Sequence, residues 1–241
     1  MILRRVYFLI GTIVFLPFLL IGAPLVIAAV TLGGEKRGGH WAYGIMRYWS
    51  RWYSVLVGVR FQIEGTERIA GAPVGIFVSN HRSYWDGVAT MGGVPRDFRP
   101  LGKVEISRVP IFGAMYRRVV VIVDRADHES RKHSFEALRG LLSRGISVLI
   151  FPEGTANTSA EPLLPFKDGA FRLALETSTP ILPMVILGSG EVMPRQPTFT
   201  LWPGSVTVRF GDPIPTDGLT LEALPELKRQ VEEAMLGLMD A

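Results

Sequence analysis

From Gly58 onward, short apolar runs alternate with longer amphipathic ones, and no other feature limits the fold as tightly. Residues 59–63 alternate apolar and polar side chains and stop at Glu64-Gly65, the pattern of a half-buried strand. Residues 74–79 and 98–102 read as further strands, and residues 110–116 as a short helix. Residues 119–123 form a continuous β-branched run, which predicts a strand buried on both faces. Residues 129–144 read as a helix, with Phe135, Leu138, Leu141 and Leu142 on one side and Gly145 as its stop. A strand over 147–151, a helix over 168–177, strands over 181–187 and 205–210, and an amphipathic helix over 221–238 complete the series. Such alternation predicts an α/β domain over residues 58–241, with a mixed, mostly parallel sheet flanked by helices.

Residues 1–57 are different. Arg4 and Arg5 precede an apolar stretch over residues 6–30. That length suffices for a membrane span, which needs about 20 residues. The charged start and Ala28-Ala29 also resemble a secretory leader, but the apolar stretch exceeds the ~7–15 residues of a leader's core. Pro17 and Pro24 lie inside it and are expected to kink or break a helix. After a polar, glycine-rich turn, residues 41–57 read as a second helix carrying Trp41, Trp49, Trp52, Tyr43, Tyr48 and Tyr53. Arg47 and Arg51 lie in its middle, where a span would cost about 2.5–3.5 kcal/mol each. Aromatic residues mixed with arginines suit the headgroup level. The expectation is a two-helix, monotopic membrane anchor with the following domain on the cytoplasmic face. The other reading is that the second helix simply packs on that domain. A 48% apolar composition and a net charge of +4 suit an anionic membrane surface or a phosphate-bearing ligand. With no basic stripe, nucleic acid is not an expected partner.

The predicted strand over residues 73–78 runs into Asn80-His81-Arg82-Ser83-Tyr84-Trp85-Asp86. Ser83 and Asp86 have the spacing of a capping box, so a helix is expected to start here with His81 on the preceding loop. His81 and Asp86 are too far apart in angle to share a helical face, yet the imidazole could fold back onto the carboxylate in the first turn. That arrangement would orient a general base. The plainer alternative makes Asp86 a cap and His81 a polar strand end. His81, Arg125 and Glu153 each follow a predicted strand, and loops after parallel strands are where such sheets gather ligands.

Asn80-His81-(four residues)-Asp86 resembles the first motif of the glycerolipid acyltransferase superfamily. Phe151-Pro152-Glu153-Gly154-Thr155 is similar to its third motif. Lys103, Glu105, Pro110, Gly113 and Arg125 resemble the second, and Pro183 with its apolar neighbours the fourth. The resemblance is nearest to the 1-acyl-glycerol-3-phosphate acyltransferases. It implies a glycerol-3-phosphate acyltransferase-like fold, acyl-CoA or acyl carrier protein as co-substrate with no further cofactor, and lysophosphatidic acid as acceptor. It also implies a His81–Asp86 base acting directly on the acceptor hydroxyl, without an acyl-enzyme. Arg125 and Lys103 are expected to hold the phosphate, and Glu153 to accept hydrogen bonds from substrate hydroxyls. Gly154 would allow close backbone approach, Thr155 completes the binding motif, and Lys167 is a further positive contact. One departure stands out: Ala156 occupies the place where the third motif usually carries an arginine. A different acceptor, such as another lysophospholipid or a lipoamino acid, is therefore a second reading, and a silent lipid-binding protein a third.

Several chemistries are excluded. The chain has no cysteine, hence no disulfide, thiol nucleophile or cysteine zinc site. It has no G-x-S-x-G elbow and no P-loop. His128-Glu129 with His133 is one residue too long for both imidazoles to face one zinc ion, so no metal is expected.

Overall fold

The computed structural model describes residues 2–196 and 199–240. Its N-terminal part is a helical hairpin. Helix α1 (Ile2–Pro17) passes through a π-helical turn over Phe18–Gly22 into α2 (Ala23–Gly33), and a second such turn over Gly34–Gly38 reverses the chain into α3 (Gly39–Leu56). Pro17 and Pro24 flank the first π turn, so the expected disruption is a local change of hydrogen-bond register rather than a break. Gly22 is the contact point of the hairpin: a Cβ there would lie 0.6 Å from the indole of Trp49.

Strand β1 (Val59–Glu64) leaves the hairpin and is followed by α4 (Thr66–Ala70), β2 (Ile76–Ser79), α5 (Asp86–Gly93) and β3 (Phe98–Lys103). Then come α6 (Phe112–Val119), β4 (Val121–Val123), α7 (His128–Ser143), β5 (Ser147–Ile150) and α8 (Gly169–Thr177). The chain closes with β6 (Ile181–Leu187), α9 (Ser189–Val192), β7 (Gly204–Phe210) and α10 (Leu224–Asp240). The seven strands form one sheet in the order β1-β7-β6-β2-β5-β3-β4. Every pairing is parallel except β6 with β7, so the sheet is mixed and mostly parallel. The short helices α4 and α9 were not evident from the sequence, because four or five residues show no helical period.

Alternation along the central strands divides the core into two layers. Ile76, Val78, Val148, Ile150, Ile181 and Val185 face α7, α8 and α10, meeting Leu138, Leu173, Val231 and Met235. Phe77, Leu149, Leu182, Met184 and Ile186 face the other way, toward α3 and α5, where Tyr43, Trp85 and Ala89 pack. All of these strand residues are buried, which is why the strands read as continuous apolar runs.

The run over 119–123 is not a doubly buried strand. It divides between the end of α6 and the three-residue edge strand β4, in which only Val123 is buried. Its hydrophobicity has another cause: Val119 packs with Val26 and Ala42, so α6 is clamped to the hairpin.

Helix α3 combines both readings of its sequence. One face is fastened to the sheet domain, with Arg51 Nε donating to the Gly92 carbonyl at 2.9 Å and Tyr53 stacked on Trp85 at 5.3 Å. The other face leaves Trp41, Tyr48 and Trp52 exposed. Helix α1 exposes Ile2, Leu9, Ile10 and Ile13, yet it too is tied down. The Leu201 N–H donates to the Arg4 carbonyl at 3.3 Å, and Phe8 stacks on Phe199 at 5.5 Å.

Candidate active site

Strands β2, β5, β3 and β4 lie side by side and parallel, so their C-terminal ends share one edge of the sheet. That edge carries His81, Glu153, Lys103 and Arg125. At the end of β2 the Asn80 amide bridges to β6, donating to the Ile186 carbonyl at 3.0 Å and accepting from its N–H at 2.7 Å. The chain is thereby pinned just before His81.

Asp86 opens α5 at 0% exposure, and its Oδ2 does three things. It accepts the N–H groups of Arg82 and Ser83, both at 2.8 Å, and it lies 2.7 Å from His81 Nδ1. The capping reading and the orienting reading meet on a single oxygen. One further contact holds the His81 ring and two hold the His81 backbone. Phe151 stacks on the ring at 4.3 Å, the His81 backbone N–H donates to Glu153 Oε1 at 2.8 Å, and the His81 carbonyl accepts from Asn157 N–H at 2.6 Å.

Glu153 therefore requires a correction. The sequence suggests a carboxylate offered to substrate hydroxyls. In the structure it is 2% exposed, with Oε1 on the His81 N–H and Oε2 on the Leu164 N–H at 2.9 Å. It braces the His81 loop against the loop beyond β5. Burial pushes its carboxyl above the ordinary value, and the two backbone hydrogen bonds pull it partly back.

The expected binding residues lie on the outer part of the same edge. Gly154 has φ +72°, and its carbonyl accepts from Arg125 Nη1. The side chain of Lys167 runs alongside, with Cγ 3.2 Å from where a Gly154 Cβ would be. Lys103 pairs with Glu105 at 2.9 Å, both about half exposed. Arg125, Thr155 and Lys167 are exposed. Arg125 and Lys167 are thus brought together over Gly154, while Lys103 stands nearby at the end of β3, in register with Val123.

Sequence reasoning missed Arg195. Its Nη2 lies 3.1 Å from His81 Nε2, and its guanidinium carbon sits 3.8 Å over the Tyr84 ring. An arginine can only donate, so Nε2 is the acceptor and Nδ1 carries the proton given to Asp86. The neutral tautomer is set from both sides. Arg195 is held in place because Ser83 Oγ donates to the Met193 carbonyl at 2.6 Å and Ser83 bridges to Pro194. The two partners are 114 residues apart, so no local pattern announces the contact. Asn157 was missed for the same reason. Among the described residues no cluster of histidine and acidic side chains is arranged to hold a metal ion.

Comparison with known proteins shows the family and the fold. The Acyltransferase family profile matches residues 60–187, more than half of the chain. An uncharacterized acyltransferase of Schizosaccharomyces pombe is 34% identical over 185 residues, covering 76% of this chain and 66% of that protein. The human 1-acyl-sn-glycerol-3-phosphate acyltransferase alpha is 32% identical over 184 residues, covering 75% and 64%. The chain thus spans just under two thirds of the length of these curated relatives. The crystal structure of the 1-acyl-sn-glycerophosphate acyltransferase of Thermotoga maritima superposes with a TM-score of 0.80. That match covers 99% of this chain and 95% of the other at 23% identity, which shows the shared fold. With the profile spanning the sheet edge that carries His81, Asp86, Lys103, Arg125 and Glu153, the chain belongs to the acyltransferase family.

Proposed function

We propose that this protein moves an acyl chain from a thioester, acyl-CoA or acyl carrier protein, to the sn-2 hydroxyl of 1-acyl-glycerol-3-phosphate, giving phosphatidic acid. The observation that carries the reading is the His81–Asp86 pair, with Nδ1 on a fully buried carboxylate and Nε2 turned away from it as an acceptor, met in this structure by Arg195. Nε2 takes the proton of the attacking hydroxyl while its oxygen bonds to the thioester carbonyl carbon. Asp86 stabilises the imidazolium that results. Collapse of the tetrahedral species breaks the C–S bond, and the imidazolium returns its proton to the leaving thiolate. No side chain of the enzyme is acylated. Arg125, Lys167 and Lys103 supply positive charge for the acceptor's phosphate at the same edge. The exposed apolar side of α1 and the aromatic face of α3 seat the hairpin in a membrane without crossing it, next to the lipid substrates.

A thiol reagent tests this directly, because a chain without cysteine gives no background. Thiol release from acyl-CoA is followed with and without lysophosphatidate, for wild type and His81→Ala. Release requiring both acceptor and His81 supports the transferase. Release without acceptor indicates a thioesterase. No release with either donor carrier and any lysophospholipid indicates a silent lipid binder. Because Ala156 brings no charge to the third motif, the panel includes other lysophospholipid headgroups and lipoamino acids.

A further inference from the structure

Arg195 stands where the reacting hydroxyl must stand. The lone pair of His81 Nε2 is the one that takes the proton, and Arg195 Nη2 occupies it at 3.1 Å. A guanidinium on that nitrogen fills the site of the attacking oxygen. As the structure stands, the base is capped.

Three further observations show how the cap can come off. Among the described residues no carboxylate pairs with Arg195, whereas Lys103 has Glu105 and Arg144 has Glu35. The Arg195 Nε is buried without a partner, so the guanidinium is under-satisfied where it lies. What holds it is stacking on Tyr84, a contact that lets a planar group slide in its own plane. In a glycerol phosphate the phosphate hangs on the carbon next to the one bearing the reacting hydroxyl. A hydroxyl arriving at Nε2 therefore brings its phosphate within reach of the group it must displace.

We propose that Arg195 is an acceptor-sensing cap on the base. It blocks Nε2 of His81 until the phosphate of a vicinal hydroxy-phosphate acceptor draws the guanidinium away and pairs with it. This rests on the reading of His81 as the base. Arg195 is then a positioning residue with two effects. It selects acceptors with an anion beside the hydroxyl, a task to which Ala156 contributes no charge, and it protects the thioester while no acceptor is bound. Without the cap, a water can use Nε2: its proton goes to the ring, its oxygen bonds to the acyl carbon, and fatty acid and thiol are released.

The experiment uses the full-length protein in detergent micelles, with whichever thioester carrier the wild type accepts. It compares wild type, Arg195→Ala, Arg195→Lys, His81→Ala and the Arg195→Ala/His81→Ala double variant. Thiol release is measured with lysophosphatidate, with uncharged 1-monoacylglycerol, and without acceptor. Arg195→Ala is expected to raise the KM for lysophosphatidate about tenfold and to raise turnover of monoacylglycerol, which cannot displace the cap in the wild type. It is also expected to raise acceptor-independent release severalfold, and the double variant to abolish that gain. Arg195→Lys is expected to restore part of both properties. Wild-type KM and wild-type background release in Arg195→Ala overturn the cap. So does an Arg195→Lys variant that restores neither property, which marks a purely structural role. If His81→Ala retains transfer, the base reading itself falls. If His81→Ala is inactive and Arg195→Ala behaves as wild type, only the cap falls.

Discussion

Around His81 every contact is made within the protein, whereas a few residues away Lys103, Arg125, Thr155 and Lys167 face solvent. The His81 loop is held by Asp86, Glu153, Asn157 and Phe151, and its carboxylates are 0% and 2% exposed. On the cationic rim the Lys103 side chain pairs with Glu105 in an exposed ion pair and the Arg125 guanidinium donates to the Gly154 carbonyl. The difference matches what the proposed reaction would ask of each part. Proton transfer needs a fixed distance and tautomer, which preorganisation supplies before substrate arrives. A charged headgroup needs cations that adjust to it, and exposed lysines and arginines keep that freedom.

The contrast can be broken most forcefully at its rigid end. His81→Ala should lower kcat by about 10²–10⁴ without unfolding the domain. An active, folded variant would remove the general base. Asp86→Ala should combine that loss with a fall in stability on the order of 3 kcal/mol, because one buried and one half-buried backbone N–H lose their acceptor. Denaturant titration read beside kcat tests whether activity and stability fall together.

Glu153 gives a pH signature. Its folded-state carboxyl is held above the ordinary value of 4.5 by burial, so the folded state binds the proton more tightly than the unfolded chain. Its contribution to stability is full below 4.5 and is lost as pH rises through the raised value. Glu153→Gln should remove a slope no steeper than about 1.4 kcal/mol per pH unit, visible in denaturation midpoints collected upward from pH 4.5. Parallel midpoint curves for the two proteins would show that Glu153 does not titrate in folding. The smallest effect belongs to the rim. Arg125→Ala should raise the KM for lysophosphatidate about fivefold with kcat and midpoint unaltered. An equal rise for an uncharged acceptor would remove Arg125 from the phosphate site.

Much of this arrangement was legible in the sequence, for physical reasons that also mark where legibility stopped. β2, β5 and β6 were visible because strands covered on both faces must be apolar throughout. The His81–Asp86 relation was visible because a loop and the first turn of the next helix are close by construction. The edge position of β4 was not, since Val119 owes its hydrophobicity to the hairpin and not to the sheet. The bracing role of Glu153 and the contact of Arg195 with His81 depend on which loops the sheet order brings together, and spacing along the chain does not encode that.

The tie between α1 and the segment around Leu201 has a kinetic consequence. With the hairpin seated in a membrane as proposed, the ties of α1 to Leu201 and Phe199 hold the sheet domain close to the lipid. Acceptor then reaches the enzyme by lateral diffusion, and the relevant concentration is its mole fraction in the surface. Diluting lysophosphatidate with inert phospholipid at constant bulk amount should slow turnover, while diluting the suspension with buffer that keeps the thioester concentration constant should leave the rate per enzyme unchanged.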